Sequence, residues 1–466
     1  MTGISARATA LLGCAAGALA VHALAPPVYA GALALFALIG GLWLTQALPL
    51  AVTALLVPVG AVALGLAAPA AALAPFANPV IFLFLGGFAL AAALQRHGLD
   101  RALASGVMRL AGGRRLGAVL LLAAMAALLS MWISNTATAA MMLPLALGLL
   151  RGDDEPDDGT TAQPGSTAAA GGTGDAIGAR ERIFVLLVLA YSCSIGGIAT
   201  PVGSPPNAIA AAQAGIGFAQ WLGFGLPAVA LLWPLMLGLL GLLLRPRLGG
   251  RVELAPVRIE WTRPRMLTVA IFGATVAAWI GGAPLARALG IAGDTDGIVA
   301  LAAIALLVGS GALGWPELER RAQWGVLLLF GGGLALSALM QASGASRFLA
   351  EGVIGLVQGA PAWLVLAGVV AFVVFLTELV SNTASAALLL PIFLPMAELL
   401  GLPAPAAAAT IAIAASCAFM LPVATPPNAI VFGTDQVPQR EMMRCGLWLN
   451  LACIGAITVL AGWLWA

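Results

Sequence analysis

Two stretches of the chain carry the same polar message inside otherwise apolar surroundings. The first is Ser134-Asn135-Thr136, followed by Ala137-Thr138-Ala139-Ala140 and Leu143-Pro144. The second is Ser381-Asn382-Thr383, followed by Ala384-Ser385-Ala386-Ala387 and Leu390-Pro391. Each has a downstream partner: Thr200-Pro201-Val202-Gly203-Ser204-Pro205-Pro206-Asn207, and Leu421-Pro422-Val423-Ala424-Thr425-Pro426-Pro427-Asn428. Polar side chains at membrane depth are costly unless they bind something, and Pro and Gly expose backbone that must also be satisfied. Interrupted apolar segments in corresponding places of two halves are the sequence mark of a binding site in a duplicated membrane fold.

The surroundings are membrane-like throughout. The chain is 61% hydrophobic and 9% charged, where a soluble domain carries about 25% charge. Many apolar runs are long enough to span a bilayer, so the fold class is an all-α polytopic membrane protein. All 21 basic residues are arginine and the net charge is +2, a balance that gives no reason to expect a nucleic-acid partner. Cys14, Cys193, Cys417, Cys445 and Cys453 are scattered without a C-x-x-C spacing and read as small packing residues. His22 and His97 stand away from any carboxylate cluster, which argues against a zinc or haem enzyme and gives no sign of an organic cofactor. Arg7 followed by an apolar run to Leu24 fits either a signal peptide or a first span; the spans that follow at once favour the span.

Apolar runs bounded by Pro, Gly and Arg predict spans near 8–25, 29–48, 50–68, 79–95, 218–244, 266–283, 296–314, 323–342 and 442–465. Segments 116–150 and 361–400 hold the Ser-Asn-Thr motifs at their middles and read as re-entrant helical hairpins. Segments 183–213 and 405–433 read as helices broken at their prolines. The expected organisation is N-terminal scaffold spans at 1–75, a first repeat core at 76–244, linker and scaffold spans at 245–320, and a second repeat core at 321–466. Phe82 to Leu90 matches Leu328 to Leu336, and Gln95, Gly98 and Arg101 recur as Gln341, Gly344 and Arg347. The offset is 246 there, 247 at Ser-Asn-Thr and 221 at Pro-Pro-Asn. The drop locates an insertion in the first half, within the Gly-, Ala-, Thr- and Asp-rich stretch 151–180, read as a flexible loop; its Asp153-Asp154-Glu155 run reads as a solvated face.

With the N-terminus in the cytoplasm, 19 of the 21 arginines fall on the cytoplasmic side and only Arg287 and Arg347 fall outside. The C-terminus is then external. Five arginines precede the first hairpin, whereas Arg347 alone, balanced by Glu351, precedes the second. The repeats are therefore expected to be inverted, which brings both hairpin tips toward the midplane from opposite sides.

Hydroxyls and amides at such tips can donate to an anion, carbonyls can hold Na+, and helix N-termini add partial positive charge. Segments 116–150, 183–213 and 405–433 contain no Arg, Asp or Glu, and the second hairpin holds only Glu378 and Glu398. A dianion bound there lacks a basic partner, and burying uncompensated charge is prohibitive, so co-bound cations are expected. Glu378 reads as a proton-linked carboxylate or, more simply, as a hydrogen-bonding support beneath the second tip.

The four motifs in order resemble those of the divalent anion:sodium symporter family, over nearly the whole chain. The resemblance implies eleven spans, two re-entrant hairpins, a homodimer held by scaffold domains, and elevator-type movement of the domain that carries the site. It places substrate against Ser134, Asn135, Thr136, Ser204, Ser381, Asn382, Thr383 and Thr425. It assigns one sodium site to Ser130, Ser134, Asn135 and Gly203, and another to Thr377, Val380, Asn382, Ala424 and Pro426, several through backbone carbonyls. The implied function is Na+-coupled import of small dianions across the inner membrane, foremost C4-dicarboxylates such as succinate, malate or fumarate. An electroneutral exchanger, or a sulfate or tricarboxylate carrier on the same scaffold, is the alternative. A membrane enzyme would need a nucleophile–base pair or metal ligands near the motifs, and none stands there.

Overall fold

The computed structural model describes residues 2–150, 178–250, 260–288, 290, 295–357 and 359–463. The chain is an all-helical polytopic membrane protein. Nine of its described helices are long and apolar enough to cross a bilayer, and the count differs from eleven for a physical reason. Two of the nine, Ala362–Leu379 and Asn382–Leu399, are the arms of the second hairpin. Conversely, the spans expected at 50–68 and 296–314 form only Leu50–Ala63 and Asp296–Gly309, 14 residues each. At 1.5 Å per residue they rise about 21 Å, short of a hydrocarbon core about 30 Å thick. The two broken helices are likewise crossed in pieces.

The same helix order occurs twice. Pro79–Arg96, Leu99–Met108, Arg115–Ser130, Asn135–Leu149, Ala179–Gly196, Pro205–Ala214 and Phe218–Leu244 are followed in kind by Trp324–Ala342, Ala345–Leu356, Ala362–Leu379, Asn382–Leu399, Ala404–Ala415, Pro426–Phe432 and Gln439–Trp463. The duplication begins earlier than the motifs indicate. Leu50–Ala63 and Asp296–Gly309 have equal length and the same 246-residue offset, and each packs against the long span of the other half, Trp324–Ala342 and Pro79–Arg96 respectively. Thr2–Leu24 lies outside this pairing and packs on Pro27–Thr45.

Besides the short helices Pro69–Leu73 and Trp315–Arg321, two longer ones lie outside the expected spans: Leu99–Met108 and Ala345–Leu356. Each follows a glycine with left-handed backbone, Gly98 at φ 62° and Gly344 at φ 74°, a conformation that glycine alone adopts freely and that turns the chain out of the preceding span.

Burial separates an inner body from an outer belt. The Ala6–Leu24 segment is 6% buried inside the protein, whereas Trp324–Ala342 is 67% buried. Leu12, Leu19 and Leu24 lie open on the outer surface, where a bilayer rather than water makes them unexceptional. A polar belt ties the ends of the two halves together. Arg96 and Arg321 both pair with Glu317, at 2.6 and 3.1 Å, and Arg321 also donates to Gln95 Oε1. Most of the 151–180 insertion, including Asp153 to Glu155, lies outside the described residues.

Candidate functional site

Both motif segments form the elements that the sequence predicts. The first hairpin runs up Arg115–Ser130, turns over Met131 to Ser134, and descends as Asn135–Leu149. Ser134 is the cap that starts the second arm, its hydroxyl accepting from Ala137 N–H at 3.3 Å. The second hairpin repeats this with Ser381 as cap, but here the hydroxyl makes no capping bond. The broken helices separate over 197–204 and over 416–425, and both second halves begin with Pro-Pro. Proline at the first helical positions needs no N–H, so it starts a helix as readily as it stops one.

Asparagines close both gaps. Asn207 Nδ2 donates to the carbonyls of Gly197, Ile198 and Thr200 at 2.9, 3.2 and 2.8 Å. Asn428 Nδ2 does the same for Ala418 and Leu421, at 3.2 and 3.0 Å. These two residues end the Pro-Pro-Asn motifs, and they satisfy backbone that the break exposes. The halves then interlock. Pro205–Ala214 packs on the second hairpin arm Asn382–Leu399, and Pro426–Phe432 packs on the first hairpin arm Asn135–Leu149. Helices from opposite repeats are thereby packed on one another, each starting at one of the motifs and carrying its partial positive end there.

The two tips share one internal bond. Ser130 Oγ donates to Asn135 Oδ1 at 2.6 Å, and Thr377 Oγ1 lies 2.7 Å from Asn382 Oδ1. At the first tip the carbonyls crowd inward. A β-carbon on Gly203 would lie 2.5 Å from Gly197 O and 3.0 Å from Ser130 O, and one on Gly197 would collide with Asn135 Oδ1. Glycine at 197 and 203 thus keeps open a cradle into which the oxygens of Ser130, Asn135, Gly197 and Gly203 converge, a donor set that suits a hard cation. Gly197 was not among the expected ligands; a backbone carbonyl leaves no side-chain signature in a sequence. At the second tip Thr377 also shares its proton with Ala415 O at 2.8 Å, another unforeseen carbonyl. Val380 is extended, Ala424 N–H donates to Leu421 O at 3.1 Å, and Pro426 opens its helix.

The expected substrate residues gather at the same elements. Ser134, Asn135, Ser381, Asn382 and Thr383 are half-buried and Thr136 is exposed. Ser204 and Thr425 are the caps of the second halves. Thr425 Oγ1 accepts from Asn428 N–H at 3.3 Å, while the Ser204 hydroxyl makes no capping bond.

Glu378 is a hydrogen-bonding support. Its carboxylate accepts from the backbone N–H groups of Phe419, Met420 and Leu421 at 2.6, 2.8 and 3.0 Å, and from Asn450 Nδ2 at 2.7 Å. In the first repeat the corresponding tie is made by Thr200 Oγ1, which donates to Met131 O at 2.5 Å. Tyr191 reaches across the repeats to donate to Phe419 O at 2.7 Å. Trp132, at the first tip, stacks on Phe218 with ring centroids 6.0 Å apart and meets Phe272 edge-on at 5.2 Å. Its counterpart Leu379 is 72% exposed.

Comparison with known proteins agrees with this architecture. The family described as citrate transporter matches residues 41–392 and 298–465. An uncharacterized transporter of Haemophilus influenzae is 46% identical over 440 residues, covering 93% of this chain and 91% of its own. The sodium-dependent dicarboxylate transporter SdcS of Staphylococcus saprophyticus is 32% identical over 448 residues, covering 90% and 82%. The crystal structure of the Alcanivorax borkumensis YdaH transporter matches with a TM-score of 0.57 at 17% identity, over 84% of this chain and 86% of that one. At that identity the likeness is one of fold.

Proposed function

The chain belongs to the citrate transporter family, a transporter and not an enzyme, and on that premise we propose that it is a secondary carrier importing small dianions together with Na+. The expected kinship with divalent anion:sodium symporters agrees with the SdcS relatives. C4-dicarboxylates such as succinate, malate or fumarate are the substrates that this reading favours.

The observation that carries it is the paired chemistry of the tips. Each presents an asparagine oxygen bonded to a neighbouring hydroxyl, 2.6 Å at Asn135 and 2.7 Å at Asn382, beside an unwound turn rich in carbonyls. No Arg or Lys stands in the hairpins from 116 to 150 or 361 to 400. Anion binding must then draw on helix N-termini, each worth about half a charge, and on cations. Ser130, Asn135, Gly197 and Gly203 would hold one Na+; Thr377, Val380, Asn382, Ala424 and Pro426 the other. Substrate carboxylates would meet the N–H groups and hydroxyls of Ser134 to Thr136 and Ser381 to Thr383, with Ser204 and Thr425 at the helix starts. Ion and anion then bind cooperatively, because each lowers the electrostatic cost of the other.

The same reading gives a homodimer in the inner membrane, N-terminus inside and C-terminus outside, with the hairpins and broken helices moving as one unit against the scaffold. The family description favours a second reading, a carrier of tricarboxylates such as citrate. Uptake of labelled succinate into proteoliposomes, with and without a Na+ gradient and with malate, citrate or sulfate as competitors, tests both. Malate-competed, Na+-dependent uptake is expected. Citrate as the strongest competitor would favour the second reading, and equal uptake in Na+ and choline would remove Na+ coupling.

A further inference from the structure

Three helices meet at one cavity of about 460 Å³. Ala179–Gly196 and Gln439–Trp463 begin there, and Phe218–Leu244 ends there. The lining brings together Arg180, Arg245, Arg444 and Glu441, with Ile183 and Leu242 to Leu244 as an apolar wall. Arg444 is held by Glu441 at 2.7 Å. Among the described residues, neither Arg180 nor Arg245 has a carboxylate partner. The lining thus holds three arginines and one glutamate, and the neighbouring Glu181 carboxylate is taken up by the Arg247 N–H at 2.7 Å.

The wall is as informative as the charge. Leu242 is 73% exposed on the last turn of a 27-residue membrane-crossing helix, so it faces acyl chains just below the level of the guanidinium groups. Arg245 leaves that helix with left-handed backbone, φ 47°, and turns the chain away at the cavity rim. The arginine bias of the sequence puts this end of the three helices on the cytoplasmic side, where anionic lipid is concentrated and basic pockets between membrane helices take headgroups.

We propose that this cavity binds the headgroup of an anionic phospholipid, its phosphate on Arg180 and Arg245 and its acyl chain along Leu242 and Leu243. Guanidinium groups match phosphate oxygens in a two-point fork. A free inorganic anion would gain nothing from the leucine wall, and a zwitterionic lipid would bring no net charge to the surplus arginines. Neither arginine belongs to the hairpin tips or broken helix gaps, so the pocket is distinct from the proposed substrate and Na+ sites, although Arg180 stands at the start of a broken helix.

The test is thermal unfolding of the purified full-length chain in detergent, titrated with phosphatidylglycerol, phosphatidylcholine or inorganic phosphate. A saturable rise in melting temperature is expected with phosphatidylglycerol alone. In Arg180→Gln/Arg245→Gln the concentration for half the rise should increase about 25-fold, at about fivefold per arginine near a membrane surface. Arg245→Gln alone should give about fivefold, and Arg180→Lys/Arg245→Lys, which keeps the charge but loses the fork, should fall between the parent and the glutamine pair. An equal rise with phosphatidylcholine or inorganic phosphate would overturn the assignment, as would unchanged phosphatidylglycerol affinity in the glutamine variants. The readout is lipid binding, so a negative result leaves the transport reading standing.

Discussion

Val202 lies directly over Gly87, so closely that a β-carbon there would collide with the valine side chain. Its repeat counterpart, Val423, is 84% exposed, whereas Val202 is 7% exposed. Gly87 itself has a counterpart in Gly333, 246 residues on. The two halves, alike in sequence, are therefore held in unlike environments at these valines: both unwound turns pack on a long span, at Gly225 and at Gly446, but Val202 is also seated on Pro79–Arg96 while Val423 stands open.

An alternating carrier built from two repeats should exchange these environments when it changes state. Val423 is then expected to settle on Gly333 as Val202 leaves Gly87. Cysteines at Val423→Cys and Gly333→Cys should cross-link under mild oxidation during Na+-driven turnover and arrest uptake until reduced. Val202→Cys with Gly87→Cys should cross-link in the state described here. No cross-link between 423 and 333 under any ionic condition would show that the exchange does not occur.

Asn135→Ala and Asn382→Ala remove an oxygen that serves both the tip hydrogen bond and the candidate cation site. Hydrogen bonds to charged groups are worth about 1.5–3 kcal/mol. The Na+ concentration for half-maximal uptake should rise by about tenfold to a hundredfold, at matched expression. Near-normal uptake by both variants would make the motifs helix-packing devices.

Glu378→Ala leaves three backbone N–H groups and the Asn450 amide without their acceptor. Leaving a buried donor without its acceptor costs about 1–3 kcal/mol, and the loss should appear as a lower melting temperature in detergent. Glu378→Gln, which keeps one acceptor oxygen, should lose less. Equal stability of Glu378→Ala and the parent would mean that the bonds from Asn428 and Tyr191 suffice to hold the unwound turn.

Topology can be checked on the surface. Ser346 is a poor reporter of the outer side because it is 2% exposed, but the adjacent Arg347 side chain is 70% exposed. Arg347→Cys should react with an impermeant thiol reagent on intact cells, and Arg320→Cys only after permeabilisation. Labelling of both from outside would contradict the expected inversion.

Much of the site was legible because its makers are side chains and prolines. Ser134, Ser381 and the Pro-Pro pairs mark helix starts by their own chemistry, and the structure breaks the chain there. Gly197 O and Ala415 O were not legible, since every residue has a carbonyl and only folding decides which one turns inward. Nor was the full reach of the repeat. Leu50–Ala63 and Asp296–Gly309 share a length, an offset and a packing role, but no motif. Pro-Pro-Asn was visible as a pattern, yet the work of Asn207 and Asn428 depends on gaps that form only in three dimensions. The contrast between Val202 and Val423 lies beyond any sequence, because it belongs to a conformation and not to a composition.

The Glu378 carboxylate, held by four N–H groups and by no basic side chain, bears on the electrical cycle. If the unit that moves carries this anion, its return stroke displaces that negative charge through the membrane field even with no solute aboard. A membrane potential does work of about 2.3 kcal/mol per elementary charge per 100 mV on such a displacement. The empty return would then be a voltage-dependent step, visible as a transient current in substrate-free membranes and absent from Glu378→Gln.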